Sequence, residues 1–144
     1  MKHKKQIYLF LIEGFEEGEA GIAVSELREA GLPVKVIGQT RQAVRGAHGL
    51  MVNTDLSLEQ ALLNCQNTTN LLIIGDRRWP YRISSDPRAS RLVKTVANEG
   101  NPIVLSERIS DLPPVWEEVP THLIRRYTPD LELRQTMRDL FWDM

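Results

Sequence analysis

The feature that most constrains this chain is a set of short, continuously apolar runs separated by helical patterns. Gln6–Ile12 is apolar at nearly every position and rich in strand-forming residues, and Asn70–Ile74 and Pro102–Leu105 have the same character. A strand with one solvent-facing side alternates polar and apolar residues, so a run without alternation predicts a strand covered on both faces. The chain is therefore predicted to build a mostly parallel sheet.

Helical patterns occupy the intervals between these runs. We predict a helix over Glu16–Ala30 and a strand over Pro33–Ile37, so that the first three elements form a right-handed βαβ unit. Ser57–Gln60 matches a capping box that opens a short helix. Asp86 and Pro87 cap and begin a further helix that runs to Asn98.

The remaining segments complete one alternating α/β domain over residues 1–144. We predict a hairpin from Ala43–Gly46 and Leu50–Asn53, a polar and aromatic loop over Asp76–Ser85, and an edge strand within His122–Tyr127. A final helix begins at Thr128–Asp130 and turns four apolar residues inward, namely Leu133, Met137, Leu140 and Phe141.

Composition excludes several classes of function. The formal net charge of −1 gives no general attraction to nucleic acids or acidic membranes. No apolar run approaches the roughly 18 residues that span a bilayer. Cys65 is the single cysteine, which rules out an internal disulfide and favours a cytoplasmic location. The absence of a Cys/His cluster or a Gly-rich phosphate loop predicts neither a metal nor a cofactor.

Five motifs follow one another along the chain in a recognisable order. They are Glu13-Gly-Phe-Glu-Glu-Gly-Glu19 after the first strand, Val44-Arg-Gly-Ala-His-Gly-Leu50 followed by Asp55, Ile74-Gly-Asp-Arg77 with Tyr81, the helix Pro87–Asn98, and Gly100-Asn-Pro-Ile-Val-Leu105. As a set, over about residues 6–112, they resemble the DJ-1/PfpI family of the class I glutamine amidotransferase-like superfamily. The resemblance implies a three-layer sandwich with a flavodoxin-like sheet, assembly as a homodimer or other homo-oligomer, and a shortened C-terminal part over 113–144.

The sequence departs from the family at the turn after the strand Pro102–Leu105. Active members carry a nucleophilic cysteine there, whereas the matching residues are Ser106-Glu-Arg-Ile109, which puts Glu107 in the place of the cysteine. In the turn that forms the family's oxyanion hole, Gly75 is kept but Asp76 replaces the second glycine. We therefore expect a non-catalytic protein that binds or senses a small ligand or acts as a scaffold.

The alternative is a cysteine-independent enzyme of the glyoxalase, deglycase or peptidase kind. Glu19 begins a helix, where it either caps the free N–H groups or, as the resemblance implies, faces Glu107. Two close carboxylates cannot both ionise cheaply, so they would share a proton for acid–base chemistry or for a structural lock, unless Arg77 or Arg108 neutralises them. Ser106 is the nearby hydroxyl that could replace a thiol, although its flanks do not match the Gly-x-Ser-x-Gly pattern.

An arginine–aromatic cluster follows the strand Asn70–Ile74, at the sheet edge where open α/β proteins bind ligands. Such residues clamp a carboxylate or phosphate, anchor a partner, or form a solvated loop with Trp79 packed inward. The predicted site for a small anionic or carbonyl ligand comprises Gly75, Asp76, Arg77, Arg108, Trp79 and Tyr81. His48 belongs either to the hairpin alone or to a contact between subunits.

Overall fold

A parallel sheet is the frame of the protein, for which a computed structural model describes residues 5–130 and 132–142. Its strands are β1 (Gln6–Leu11), β2 (Val34–Gly38), β5 (Leu56–Ser57), β6 (Thr69–Ile74), β7 (Ile103–Ser106) and β8 (Ile124–Tyr127), while β3 (Val44–Arg45) and β4 (Met51–Val52) form a separate antiparallel hairpin. The order across the sheet is β5-β2-β1-β6-β7-β8, with neighbouring strands parallel. All the carboxyl ends therefore lie along one edge, and the strand order reverses between β1 and β6.

Helices cover both faces of this sheet. They are α1 (Glu17–Glu29), α2 (Leu58–Leu63), α3 (Trp79–Ser84), α4 (Pro87–Asn98) and α5 (Leu133–Trp142). Helices α1 and α5 share one apolar core with the sheet, and α2, α3 and α4 share the other. The predicted three-layer α/β sandwich is confirmed. None of the helices in the described ranges is long and apolar enough to cross a membrane.

Helix α1 presents Glu19 to the carboxyl edge of the sheet because its apolar stripe fixes its rotation. Ala23 and Leu27 are fully buried against the sheet. On the neighbouring face, the buried carboxylate of Glu26 pairs with Arg134 and Arg138 of α5. A buried carboxylate needs such partners, so these ion pairs fix α5 against α1.

Several boundaries that were predicted from local patterns are confirmed. Ser57 and Gln60 form both hydrogen bonds of the capping box at the start of α2. Asp86 caps α4, which begins at Pro87. The predicted edge strand is β8, and the hairpin forms as β3 and β4.

The prediction of a loop over Asp76–Ser85 is wrong, because α3 forms within it. The Asp76 carboxylate accepts a hydrogen bond from the Arg78 backbone N–H at 2.9 Å and closes the turn before the helix. Trp79 then enters the core and packs edge-to-face on Trp116, with ring centroids 5.7 Å apart. A polar, aromatic sequence thus becomes helical because its one buried tryptophan anchors it.

Candidate functional site

Four side chains meet at the carboxyl edge of the sheet and form what we call the carboxylate cluster: Glu19, Ser106, Arg108 and Tyr127. The Tyr127 hydroxyl donates to Glu19 Oε1 at 2.9 Å, and Arg108 Nη1 lies 3.6 Å from Glu19 Oε2. Ser106 Oγ accepts a hydrogen bond from the Arg108 backbone N–H at 3.1 Å. Its hydroxyl also opposes the rise in the pKa of Tyr127. The cluster joins the start of α1 to the ends of β7 and β8.

Burial dominates the electrostatics of this cluster. Glu19 is only 8% exposed, and this burial raises the pKa of its carboxyl despite the opposing effects of the Tyr127 hydrogen bond and the Arg108 charge. Burial, followed by the charge of Glu19, raises the pKa of Tyr127. Tyr127 is therefore a neutral hydrogen-bond donor, and Glu19 is a carboxyl group whose proton is held more tightly than usual.

The expected pair of Glu19 and Glu107 is wrong. Glu107 is exposed, and its carboxylate accepts a hydrogen bond from Thr128 Oγ1 at 2.9 Å. Its backbone N–H donates to the Tyr127 carbonyl at 2.9 Å and so continues the pairing of β7 with β8. The next residue, Arg108, turns back to Glu19, which was the alternative prediction for how this acid is neutralised.

The turn at Ser106–Ile109 is relaxed. It closes with a hydrogen bond from the Ile109 N–H to the Ser106 carbonyl at 3.1 Å. Nucleophile elbows hold their nucleophile in a strained backbone conformation, whereas no non-glycine residue in the described ranges has a positive φ. The chain then continues irregularly to a 3₁₀ turn at Pro114–Glu118, so no α-helix starts behind the turn to stabilise an anionic nucleophile.

Within the described residues, no hydrogen bond joins Ser106 to a base that would activate it. The Ser106 hydroxyl accepts from the Arg108 N–H, and the neighbouring Tyr127 phenol, whose pKa is raised, is a poor base for a serine. His48 interacts with Glu17 on the hairpin, and His3 lies outside the described residues. The Ser106 hydroxyl thus holds the main chain of the turn at Arg108.

An open groove of about 410 Å³ lies beside the carboxylate cluster and is called the arginine groove here. It is lined by Arg77, Arg78, Tyr81, Arg108, Ser110 and Asp111. Across residues 5–130 and 132–142, the guanidinium groups of Arg77 and Arg78 make no hydrogen bond or ion pair. Three arginines against one aspartate give the groove a positive lining that suits an anion.

Three other predicted ligand residues, Trp79, Gly75 and Asp76, do not line the arginine groove. Trp79 is 1% exposed and belongs to the core. Gly75 makes room for it, since a Cβ atom on Gly75 would lie 2.7 Å from the Trp79 Cβ. Asp76 forms an ion pair with Arg82 at 2.6 Å, and Arg82 donates to the Glu13 carbonyl at 3.0 Å. These contacts tie α3 to the loop after β1.

The hairpin is held by Glu17, a residue that the sequence analysis did not single out. The Glu17 carboxylate accepts hydrogen bonds from the N–H groups of His48 and Leu50 at 2.9 and 3.1 Å and lies 2.8 Å from His48 Nδ1. The hydrogen bond with Glu17 raises the pKa of His48. A Cβ atom on Gly46 would lie 2.5 Å from the Glu17 side chain, so this position requires glycine. His48 therefore has a definite role within the hairpin.

Comparison with known proteins identifies the family. A profile of the DJ-1/PfpI family matches residues 5–105. The chain belongs to the DJ-1/PfpI family. The matched range includes Glu19 and Gly75 and ends at Leu105, immediately before the turn. This DJ-1/PfpI chain is 29% identical over 98 residues to a deglycase of Pyrococcus abyssi (strain GE5 / Orsay). The aligned residues make up 68% of this chain and 57% of that protein. The chain thus spans little more than half the length of this curated relative.

Solved structures of DJ-1 proteins have the same fold. Oxidized Toxoplasma gondii DJ-1 is similar with a TM-score of 0.73 and 16% identity, over 94% of this chain and 88% of that chain. Drosophila melanogaster DJ-1beta is similar with a TM-score of 0.68 and 16% identity, over 96% of this chain and 91% of that chain. At this identity, the likeness concerns the DJ-1/PfpI fold alone.

Proposed function

We propose that this DJ-1/PfpI chain is a non-catalytic binding protein that takes up a small anion, such as a carboxylate or phosphate, in the arginine groove. The observation that carries the proposal is that the guanidinium groups of Arg77 and Arg78 have no hydrogen-bond or ion-pair partner among the described residues and line one groove with Arg108. The groove lies at the carboxyl edge of the sheet, where open α/β proteins bind ligands.

The lining favours a compact anion. A guanidinium group presents paired N–H donors that match the oxygen atoms of a carboxylate or phosphate. The Ser110 side chain supplies a further hydroxyl, and the exposed ring of Tyr81 supplies an apolar wall. Asp111 limits the excess positive charge, which disfavours anions that carry many charges.

The turn supports binding without nucleophilic catalysis. Glu107 is exposed and engaged with Thr128, and the backbone around it is relaxed. The Ser106 hydroxyl accepts a hydrogen bond from the Arg108 N–H, a donor that cannot remove its proton. The carboxylate cluster is therefore better suited to line a binding site than to activate a nucleophile.

Calorimetric titration of the natural protein with acetate and with inorganic phosphate tests this proposal. The double variant Arg77→Gln/Arg78→Gln should bind at least about tenfold more weakly, because each hydrogen bond to a charged group contributes about 1.5–3 kcal/mol. Arg91→Gln is the matched control, since Arg91 is an exposed arginine of α4 and does not line the groove. Equal affinities for all three proteins, or no saturable binding, would contradict the proposal.

A second candidate function rests on Glu19. This carboxyl group has a raised pKa and lies beside Arg108 at the groove, where it could exchange a proton with a bound carbonyl compound. Methylglyoxal loss and peptide hydrolysis should be measured for the natural protein, Glu19→Gln and Glu107→Ala. The binding proposal predicts no enzymatic turnover, whereas activity abolished by either substitution would establish the cysteine-independent enzyme.

We also propose that the hairpin pairs two copies of the chain in the cytoplasm. Leu50 and Met51 are each 54% exposed and adjoin His48. Sedimentation velocity should show a dimer that Met51→Glu converts to a monomer. Leu63→Glu, at an 83% exposed position on α2, is the control that should remain dimeric. A natural protein that sediments as a monomer would contradict this assembly.

A further inference from the structure

Arg108 belongs to both parts of the candidate site. Its guanidinium group lies 3.6 Å from Glu19 Oε2 and also lines the arginine groove. This distance between Arg108 Nη1 and Glu19 Oε2 is longer than a hydrogen bond, so the two side chains form an ion pair that is not hydrogen-bonded. The Arg108 side chain is 49% exposed while that of Glu19 is 10% exposed, so an incoming anion can reach the arginine and not the acid.

Two neighbours favour the ionised form of Glu19: the Tyr127 hydroxyl, through its hydrogen bond, and Arg108, through its charge. Tyr127 and Ser106 face the cluster as neutral groups from β8 and β7, and Glu16 adds a negative charge from the start of α1. Within the described residues, Arg108 is the positive group that acts on Glu19. Glu107 is bound to Thr128 and takes no part.

We infer that binding of an anion in the arginine groove is coupled to uptake of one proton by Glu19, an inference that rests on the proposed function. An anion beside Arg108 offsets the charge that compensates ionised Glu19, and a buried carboxylate without compensation is costly. Glu19 therefore takes a proton from water on Oε2, while Tyr127 continues to donate to Oε1. Because coupling between two ligands is reciprocal, a proton on Glu19 strengthens anion binding by the same factor.

The physical consequence is a receptor whose affinity rises as the pH falls. Protonated Glu19 no longer competes with the anion for Arg108, so the guanidinium group is free to turn into the groove. The same linkage makes the protein release a proton when the anion leaves. Glu19 acts here as a positioning residue, because it affects the anion through Arg108 and does not touch it.

Sulfate is a suitable probe, because its charge does not change between about pH 5 and pH 8. Calorimetry at constant ionic strength, in buffers of different ionisation enthalpy, measures protons taken up per sulfate bound. We expect uptake of up to one proton and a gain in affinity of about fivefold or more between about pH 8 and about pH 5.5. Glu19→Gln should take up no proton and should bind at pH 8 as tightly as the natural protein does at low pH.

A second titrating pair provides the control. Glu17 and His48 also form an acid–base contact, but between α1 and the hairpin. Glu17→Gln should therefore keep the proton uptake and its pH dependence. Should Glu19→Gln fail to fold, Arg108→Gln serves in its place and should bind sulfate more weakly without proton uptake.

The outcomes separate the two proposals. Sulfate binding without proton uptake, or with the same uptake in Glu19→Gln, would overturn the coupling and leave the anion groove intact. The absence of saturable sulfate binding at every pH would overturn the proposed function itself.

Discussion

Removal of one oxygen atom from Tyr127 tests how the buried acid is stabilised. In Tyr127→Phe, Glu19 Oε1 loses a hydrogen bond of 2.9 Å, and water cannot replace it because Tyr127 is fully buried and Glu19 is 8% exposed. Hydrogen bonds to charged groups contribute about 1.5–3 kcal/mol. We therefore expect the free energy of unfolding to fall by about 2 kcal/mol at pH 7.5.

The cost of this substitution should depend on pH. The pKa of Glu19 is raised in the folded state, so the stability that this group contributes is full below its unfolded pKa and is lost as the pH rises through the folded pKa. Tyr127→Phe raises the folded pKa further and deepens the loss at neutral pH. Near pH 4.5, where Glu19 carries a proton, a neutral hydrogen bond is lost and the cost falls to about 1 kcal/mol.

Urea unfolding followed by tryptophan fluorescence at the two pH values measures both quantities. Tyr81→Phe is the matched control, because Tyr81 is 56% exposed, and its cost should be close to zero at either pH. A Tyr127→Phe cost that is the same at both pH values, or absent at pH 7.5, would show that Tyr127 does not stabilise ionised Glu19.

Three further predictions concern the supports of the site. In Glu17→Gln, the amides of His48 and Leu50 lose a carboxylate acceptor, so NMR should show faster hydrogen exchange there and a His48 pKa that falls toward its ordinary value; unchanged exchange contradicts this. In chemical denaturation, Gly46→Ala should lower the free energy of unfolding by about 1–3 kcal/mol, because the added Cβ overpacks against Glu17. Gly21→Ala should raise it by about 0.5–1 kcal/mol, because an added Cβ there meets nothing within 4 Å. Equal effects of the two substitutions would contradict the clash at Gly46. Trp79→Ala should lower the free energy of unfolding by about 3–5 kcal/mol in the same assay, because Trp79 is buried in the core. A loss close to zero, as for a surface residue, would contradict this placement.

The sheet could be predicted because its physical cause is local in sequence. The apolar run from Gln6 to Ile12 has no alternation, and only a strand buried on both faces accommodates it. Helix α3 could not be predicted in this way, since its six residues are too few for a periodic pattern. Its formation depends on the contact between Trp79 and Trp116, which are far apart along the chain.

The candidate site shows where local patterns stop being informative. The sequence indicated Glu19 and the turn, but Arg108 and not Glu107 reaches the acid. That choice depends on the hydrogen bond between the Glu107 N–H and the Tyr127 carbonyl, which exists only because β8 pairs with β7. Tyr127 itself is 108 residues from Glu19 in sequence, and its place at the end of the predicted edge strand was the one local signal of its role.

Side-chain NMR of the natural protein titrated with sulfate shows which arginines bind the anion. We expect saturable shifts of the guanidinium Nε–Hε signals of Arg77, Arg78 and Arg108, with Arg91 unaffected. Saturable shifts centred on another surface, such as the groove between Glu13 and Met51, would contradict this expectation, as would uniform shifts of all exposed arginines.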